Sequence, residues 1–286
     1  MAEVYFTDQL DRKIEIPFPP QRIISLVPSQ SELLWDLGLK KELIGITKFC
    51  VHPNEMFRSV ARVGGTKTIA TEKIKALKPD LIIANKEENE QEQVEELIQH
   101  FPVWVSDIKT LDDALNMINI LGAITKKNDE AQTIAHSISE NFAKLRTINS
   151  KSRGFTRDGE PFSEALRRTK LASPLQTAYL IWKNPFMAAG KGTFIDDMLG
   201  RCGLENIFTI ESGRYPEATL EEILIKKPEL ILLSSEPYPF KEKHIREIRS
   251  KCPDANVLLA DGEFFSWYGS RLIQAPAYFM QLLRSL

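Results

Sequence analysis

One segment of this chain occurs twice, and a duplicated helix–strand unit leaves few folds open. Glu72-Lys73-Ile74, continued by Ala76-Leu77-Lys78-Pro79-Asp80-Leu81-Ile82-Ile83, reads as a surface helix running into a buried strand. Glu221-Glu222-Ile223, continued by Lys226-Lys227-Pro228-Glu229-Leu230-Ile231-Leu232, repeats it. Charged helical stretches follow at 92–101 and 242–252, then short apolar runs at 103–105 and 257–259. Each run closes on an aspartate, Asp107 or Asp261. Two copies of one unit predict two similar lobes with a cleft between them, and such clefts hold small ligands.

The flanking pattern fills in the lobes. Residues 4–22 read as an edge hairpin. Arg22-Ile23-Ile24-Ser25-Leu26-Val27 is a short strand ended by Pro28, and Ser29-x-x-Glu32 reads as a capping box. The helix it opens buries Leu33, Leu34 and Leu37, with Gly38 just past its end. A strand at 43–47 completes a strand–helix–strand unit of a parallel sheet. Leu111, Leu115, Ile118 and Leu121 mark a helix that Gly122 interrupts. Ala131, Ile134, Ala135, Ile138, Phe142 and Leu145 mark a second helix, capped by Asn128 or Asp129, of about 18 residues or roughly 27 Å. The predicted fold class is α/β, with two Rossmann-like lobes whose parallel-rich sheets are joined by one long backbone helix. The predicted divisions are an N-terminal lobe at 1–127, the interlobe helix at 128–148, a polar loop insertion at 149–176 and a C-terminal lobe at 177–286. Pro276 starts or kinks a final helix.

Charge and motifs exclude several functions. The net charge of −2 in 286 residues offers no basic face for nucleic acid. No apolar run approaches the roughly 20 residues that span a bilayer. The N-terminus has neither a basic nor an apolar signal region, which points to a cytosolic chain or a processed one. Cys50, Cys202 and Cys252 are scattered and read as buried thiols. Gly190-Lys191-Gly192-Thr193 misses the phosphate-loop spacing, and neither a nucleophile elbow nor a zinc-protease motif is present. His100, His136 and His244 read as solvated. His52 follows a strand, where a sheet presents ligand loops. Asp261 and Glu263 form the one carboxylate couple near the candidate site, so an enzyme of cofactor metabolism finds little support. No intrinsic cofactor is expected.

Aromatic residues cluster just past strand ends: Trp182 to Phe186, Tyr215 beside Arg214, and Phe264 to Tyr268. Exposed, grouped rings suit a flat, partly apolar ligand held by stacking. Lys183, Arg214 and His52 are placed to orient its polar periphery. Glu72 and Glu221 occupy the same place in both copies and suit a two-fold partner with paired arginines.

Arg22 to Pro28 with Ser29-x-x-Glu32-Leu33, then Gly64-Gly65-Thr66, Glu72-x-Ile74-x-x-Leu77-Lys78-Pro79-Asp80, Gly203-Leu204-Glu205-Asn206 and Ser270-Arg271-Leu272, resemble in order the class III periplasmic binding proteins. These receptors deliver vitamin B12, haem and iron–siderophore complexes to ABC importers. The resemblance implies a monomeric, extracytoplasmic receptor with little closure on binding. It also implies that Glu72 and Glu221 dock on permease arginines. The chain looks most similar to the cobalamin-binding branch, which places rings at Phe49, Trp182, Tyr215 and the 264–267 loop around the corrin. Thr66 stands where that branch has an aromatic residue, and its acidic–aromatic pair appears as Glu263-Phe264. The implied ligand is a corrinoid or related metal chelate, contacted by Phe49, His52, Thr66, Trp182, Lys183, Phe186, Arg214, Tyr215, Glu263, Phe264 and Trp267. The alternatives are a ferric siderophore or haem receptor and, from another class, a cytosolic corrinoid-handling protein.

Overall fold

The computed structural model describes residues 2–153, 174–208 and 213–286. They form two compact units, Met1–Ile138 with Trp267–Leu272, and Ser139–Ser266 with Ile273–Leu286. The division falls inside one 26-residue helix, Asn128–Arg153, longer than its apolar periodicity suggested.

The first unit opens with an antiparallel hairpin, β1 (Ala2–Thr7) and β2 (Lys13–Phe18). Its parallel sheet contains β3 (Ile23–Ser25), β4 (Leu43–Ile46), β5 (Ala61–Arg62), β6 (Leu81–Asn85) and β7 (Val103–Ser106), in the order β5-β4-β3-β6-β7. Its helices are α1 (Pro28–Asp36), α2 (Asn54–Ser59), α3 (Thr71–Leu77), α4 (Gln91–Ile98), α5 (Leu111–Thr125) and the start of α6 (Asn128–Arg153). Every residue of β6 is buried, as befits a strand covered on both faces. The hairpin turn shields the free edge of β7: the Gln9 amide donates to the Val105 carbonyl and the Arg12 guanidinium to that of Val103.

The second unit carries β8 (Leu175–Trp182), β9 (Phe186–Ala188), β10 (Leu204–Asn206), β11 (Glu217–Ala218), β12 (Leu230–Ser234) and β13 (Asn256–Ala260). Their order is β11-β9-β8-β12-β13, with β10 also on β8. The pairs β10–β8, β8–β12 and β12–β13 are parallel, whereas β9 and β11 run antiparallel. Helices α7 (Phe194–Cys202), α8 (Leu220–Ile225), α9 (Glu242–Lys251), α10 (Glu263–Ser266) and α11 (Ala275–Arg284) complete it. Pro276 lies in the first turn of α11, where its missing N–H costs nothing, so it starts the helix. Of the insertion expected at 149–176, residues 149–153 end α6 and 175–176 begin β8, while 154–173 lie outside the described residues.

The duplication holds at atomic detail. The α3–β6 and α8–β12 corners both turn through a left-handed lysine before proline, Lys78 at φ 48° and Lys227 at φ 50°. This conformation is uncommon for a side chain with a Cβ, so sharing it is stronger evidence of common design than an apolar run. The acid after the proline does matching work in each copy. Asp80 accepts the Gln21 and Arg22 amides at 2.7 and 2.8 Å, and its own amide donates to the Arg22 carbonyl. Glu229 accepts the Gln176 amide at 3.0 Å and donates to the Gln176 carbonyl. Each acid thus fixes the register of its strand against the central strand of its sheet.

Two local expectations are corrected. Val27 is the N-cap of α1 and Pro28 its first residue, so Ser29 does not cap it and Glu32 turns instead to Arg271. Gly122 does not interrupt α5. A Cβ there would come within 2.4 Å of the Ala131 Cβ, so the glycine permits close approach of α5 and α6. Among the described residues, no helix is long and apolar enough to cross a membrane.

Candidate functional site

In open parallel sheets, ligand-facing loops follow the carboxyl ends of the strands. In the first unit those loops are organised by successive residues of α1. Gln30 donates to the Ser106 hydroxyl at the end of β7, at 2.6 Å. Ser31 reaches the Ser25 hydroxyl at 2.8 Å and the Cys50 sulfur at 3.2 Å. Glu32 holds both nitrogens of one edge of the Arg271 guanidinium, at 2.6 and 3.0 Å. Burial pushes the Glu32 carboxyl above its ordinary range, with the Arg271 guanidinium pulling the other way.

At the switch point between β3 and β6 the loops are tied together by two asparagines. The Asn89 amide donates to the Leu26 and Thr66 carbonyls, at 3.3 and 3.0 Å, while its oxygen accepts the Asn85 amide at 2.9 Å. Asn85 in turn donates to the Ser106 hydroxyl at 2.9 Å. Thr66 is therefore tied by its main chain, and its side chain is half-buried.

Beyond β4 the loop turns outward. Phe49 is 50% exposed, with the Lys48 ammonium 5.1 Å from its ring centroid. Gly65 leaves room for that ring, since a Cβ there would sit 3.2 Å from it. Gly64, at φ 106° and against the Thr68 carbonyl, makes the tight turn that brings Gly65 into place. His52 is half-buried and meets Trp267 edge-on, centroids 5.9 Å apart.

In the second unit, Trp182 ends β8 with 40% of its surface exposed and the Tyr238 ring 5.7 Å away, edge to face. Tyr238 packs in turn on Phe240 and His244. Phe264 stacks on Tyr278 at 4.6 Å and 18°. Glu263 opens α10, its amide bound to the Asp261 carboxylate at 3.1 Å. These two acids are therefore a helix-start pair. Arg214 and Tyr215 are half-buried.

Several expected exposures are not met. Trp267 is buried, under the Arg271 guanidinium at 4.7 Å, and offers no open stacking face. Phe186 is half-buried against the core of its unit. Lys183 is ion-paired with Glu247, its side chain largely covered. His244 is buried rather than solvated: its Nδ1 accepts the Lys241 amide at 2.9 Å, and burial, then the Lys183 charge, holds its pKa below the ordinary value. His100 and His136 are exposed, and all three cysteines are free and buried, as expected. Glu72 and Glu221 both occupy the second position of their helices, α3 and α8, and both are exposed. Glu72 lies 3.1 Å from Lys75. Sequence reasoning missed Tyr238, although Pro237 and Pro239 beside an aromatic residue after β12 carried the same signal used for Trp182.

The vitamin B12-binding protein of Vibrio cholerae is 29% identical over 219 residues, covering 76% of this chain and 72% of its own. The crystal structure of the periplasmic vitamin B12-binding protein of Vibrio cholerae superposes with a TM-score of 0.76 at 25% identity, covering 94% of this chain and 98% of that one. A periplasmic haem-binding protein from Pseudomonas aeruginosa gives the same TM-score of 0.76 at 18% identity, covering 93% of each chain, and shares the fold. The family described as periplasmic binding protein matches residues 23–251, and this chain belongs to it.

Proposed function

We propose that this protein is a non-catalytic solute receptor that binds a corrinoid outside the cytoplasmic membrane and delivers it to an ABC importer. One observation carries the ligand class. The two large rings left open at strand ends, Phe49 after β4 and Trp182 at the end of β8, stand where such sheets meet ligands. A flat macrocycle is the ligand that open rings hold best. Haem is flat as well. The higher identity to vitamin B12 binders than to the haem binder favours the corrinoid. A hydroxamate or catecholate chelate needs several cations, and Lys183 is already committed to Glu247. Asn89 spends its side-chain amide on the Leu26 and Thr66 carbonyls at the switch point, where many enzymes of this architecture hold a nucleotide.

Titration of the purified chain with cyanocobalamin, haemin and a ferric hydroxamate is expected to give tightest binding to cyanocobalamin. Preference for haemin would move the assignment to the haem branch. The exposed Glu72 and Glu221 are proposed to dock on permease arginines. Their replacement by lysine should leave ligand affinity unchanged and abolish importer-dependent uptake. Undiminished uptake by the double variant would remove that role.

A further inference from the structure

Two sequence motifs far apart in the chain, Ser29-x-x-Glu32 and Ser270-Arg271-Leu272, meet in the first unit with no role yet in binding. Arg271 and Glu32 form a two-point ion pair whose side chains are only 16% and 13% exposed. Ser270 adds a hydrogen bond to Asp36, and Gly269 lies so close to α1 that a Cβ would come within 2.4 Å of the Ser29 carbonyl. The Arg271 guanidinium covers one side of Trp267, and Trp267 meets His52 at the end of the loop that presents Phe49. The middle of the same loop is held by Cys50, whose sulfur lies 3.2 Å from both the Ser31 and Thr47 hydroxyls. The loop is thus fastened from two sides, by Ser31 directly and by Glu32 through Arg271 and Trp267. A two-point guanidinium–carboxylate pair fixes direction as well as distance, so it can set the attitude of a ring stacked on it.

We infer that Glu32, Arg271 and Trp267 are positioning residues for ligand binding, preorganising the 47–52 loop so that Phe49 meets the ligand without a further ordering cost. A loop rigid before binding gains affinity by avoiding that cost. The affinity arm of the test rests on the proposed corrinoid reading; the exchange arm does not.

Hydrogen exchange in the ligand-free chain is the direct test, with Arg271→Met and Trp267→Leu as the variants. Trp267→Leu leaves both partners of the ion pair in place and removes the ring that joins Arg271 to His52. Both are expected to speed exchange of the 47–52 amides by about tenfold or more through an opening that β6 and β12 do not share, over and above any protection those strands lose to a lower global stability, the signature of a local opening. Binding of cyanocobalamin should weaken by about tenfold in each, with little added loss in a Phe49→Ala background, because residues acting through one ring do not add. Unchanged exchange at 47–52 in both variants would overturn the inference, as would fully additive losses with Phe49→Ala. If the wild-type chain binds no cobalamin, the proposed function fails, and exchange alone still decides whether the strap sets the loop.

Discussion

Arg271→Met is expected to lower the unfolding free energy by about 3–5 kcal/mol, the cost of leaving one member of a buried pair alone. Glu32 and Arg271 are mostly covered, and the strap Trp267–Leu272 that carries the arginine packs against α1 through Gly269. Removing the guanidinium strands a carboxylate and uncovers Trp267 together. The sign of the pH dependence follows from Glu32. Its folded pKa is raised by burial even with Arg271 present, and it rises further without it. A raised folded pKa favours folding below the unfolded value, about 4.3, and that contribution is lost as pH climbs through the folded value. The deficit of Arg271→Met should therefore widen from about pH 4 toward neutrality, measured against wild type by urea denaturation at each pH. A deficit independent of pH would show that Glu32 is not the stranded group.

Phe49→Ala and Trp182→Ala are each expected to weaken corrinoid binding by about 1–3 kcal/mol, the range for losing a large side chain that a partner buries. Both rings are about half open, so each variant removes little packing, and thermal stability should stay within about 1 kcal/mol of wild type. That separation matters, because Trp104 or Phe265, buried in their units, would lose stability instead. Calorimetric titration paired with a melting curve distinguishes the cases. Wild-type affinity in both variants would take these rings out of the ligand contact.

The sheets were legible because their central strands are covered on both faces, so β6 and β12 appear as continuous apolar runs after a matching Lys-Pro-acid corner. The two-unit plan followed from that repetition. The fine structure at the ligand-facing loops was less accessible. Trp182 and Trp267 both sit in loop-like sequence, yet one is open and the other covered. What separates them is the Arg271 guanidinium on one side of Trp267, supplied by the same strap and held there by the distant Glu32, and the His52 imidazole at its edge, brought from elsewhere in the fold. The Glu32–Arg271 pair joins residues 239 apart in the chain, and no periodicity announces such a contact. Glu32 looked like a capping residue because its spacing from Ser29 allows one; Pro28 at the head of α1 displaced the cap to Val27. His244 looked solvated on a polar helix, but Phe240 and Tyr238 in the preceding loop fold over it. Residue type and spacing record a strand's burial well and a loop side chain's partners poorly, because those partners are fixed by tertiary contact.

Gel filtration of the purified chain with excess cyanocobalamin, followed by the visible spectrum of the protein peak and of the corrinoid released on denaturation, tests the central claim most directly. One corrinoid per chain, recovered chemically unchanged, is the expected result. A protein peak free of corrinoid absorbance, or recovery of an altered corrinoid, would contradict it.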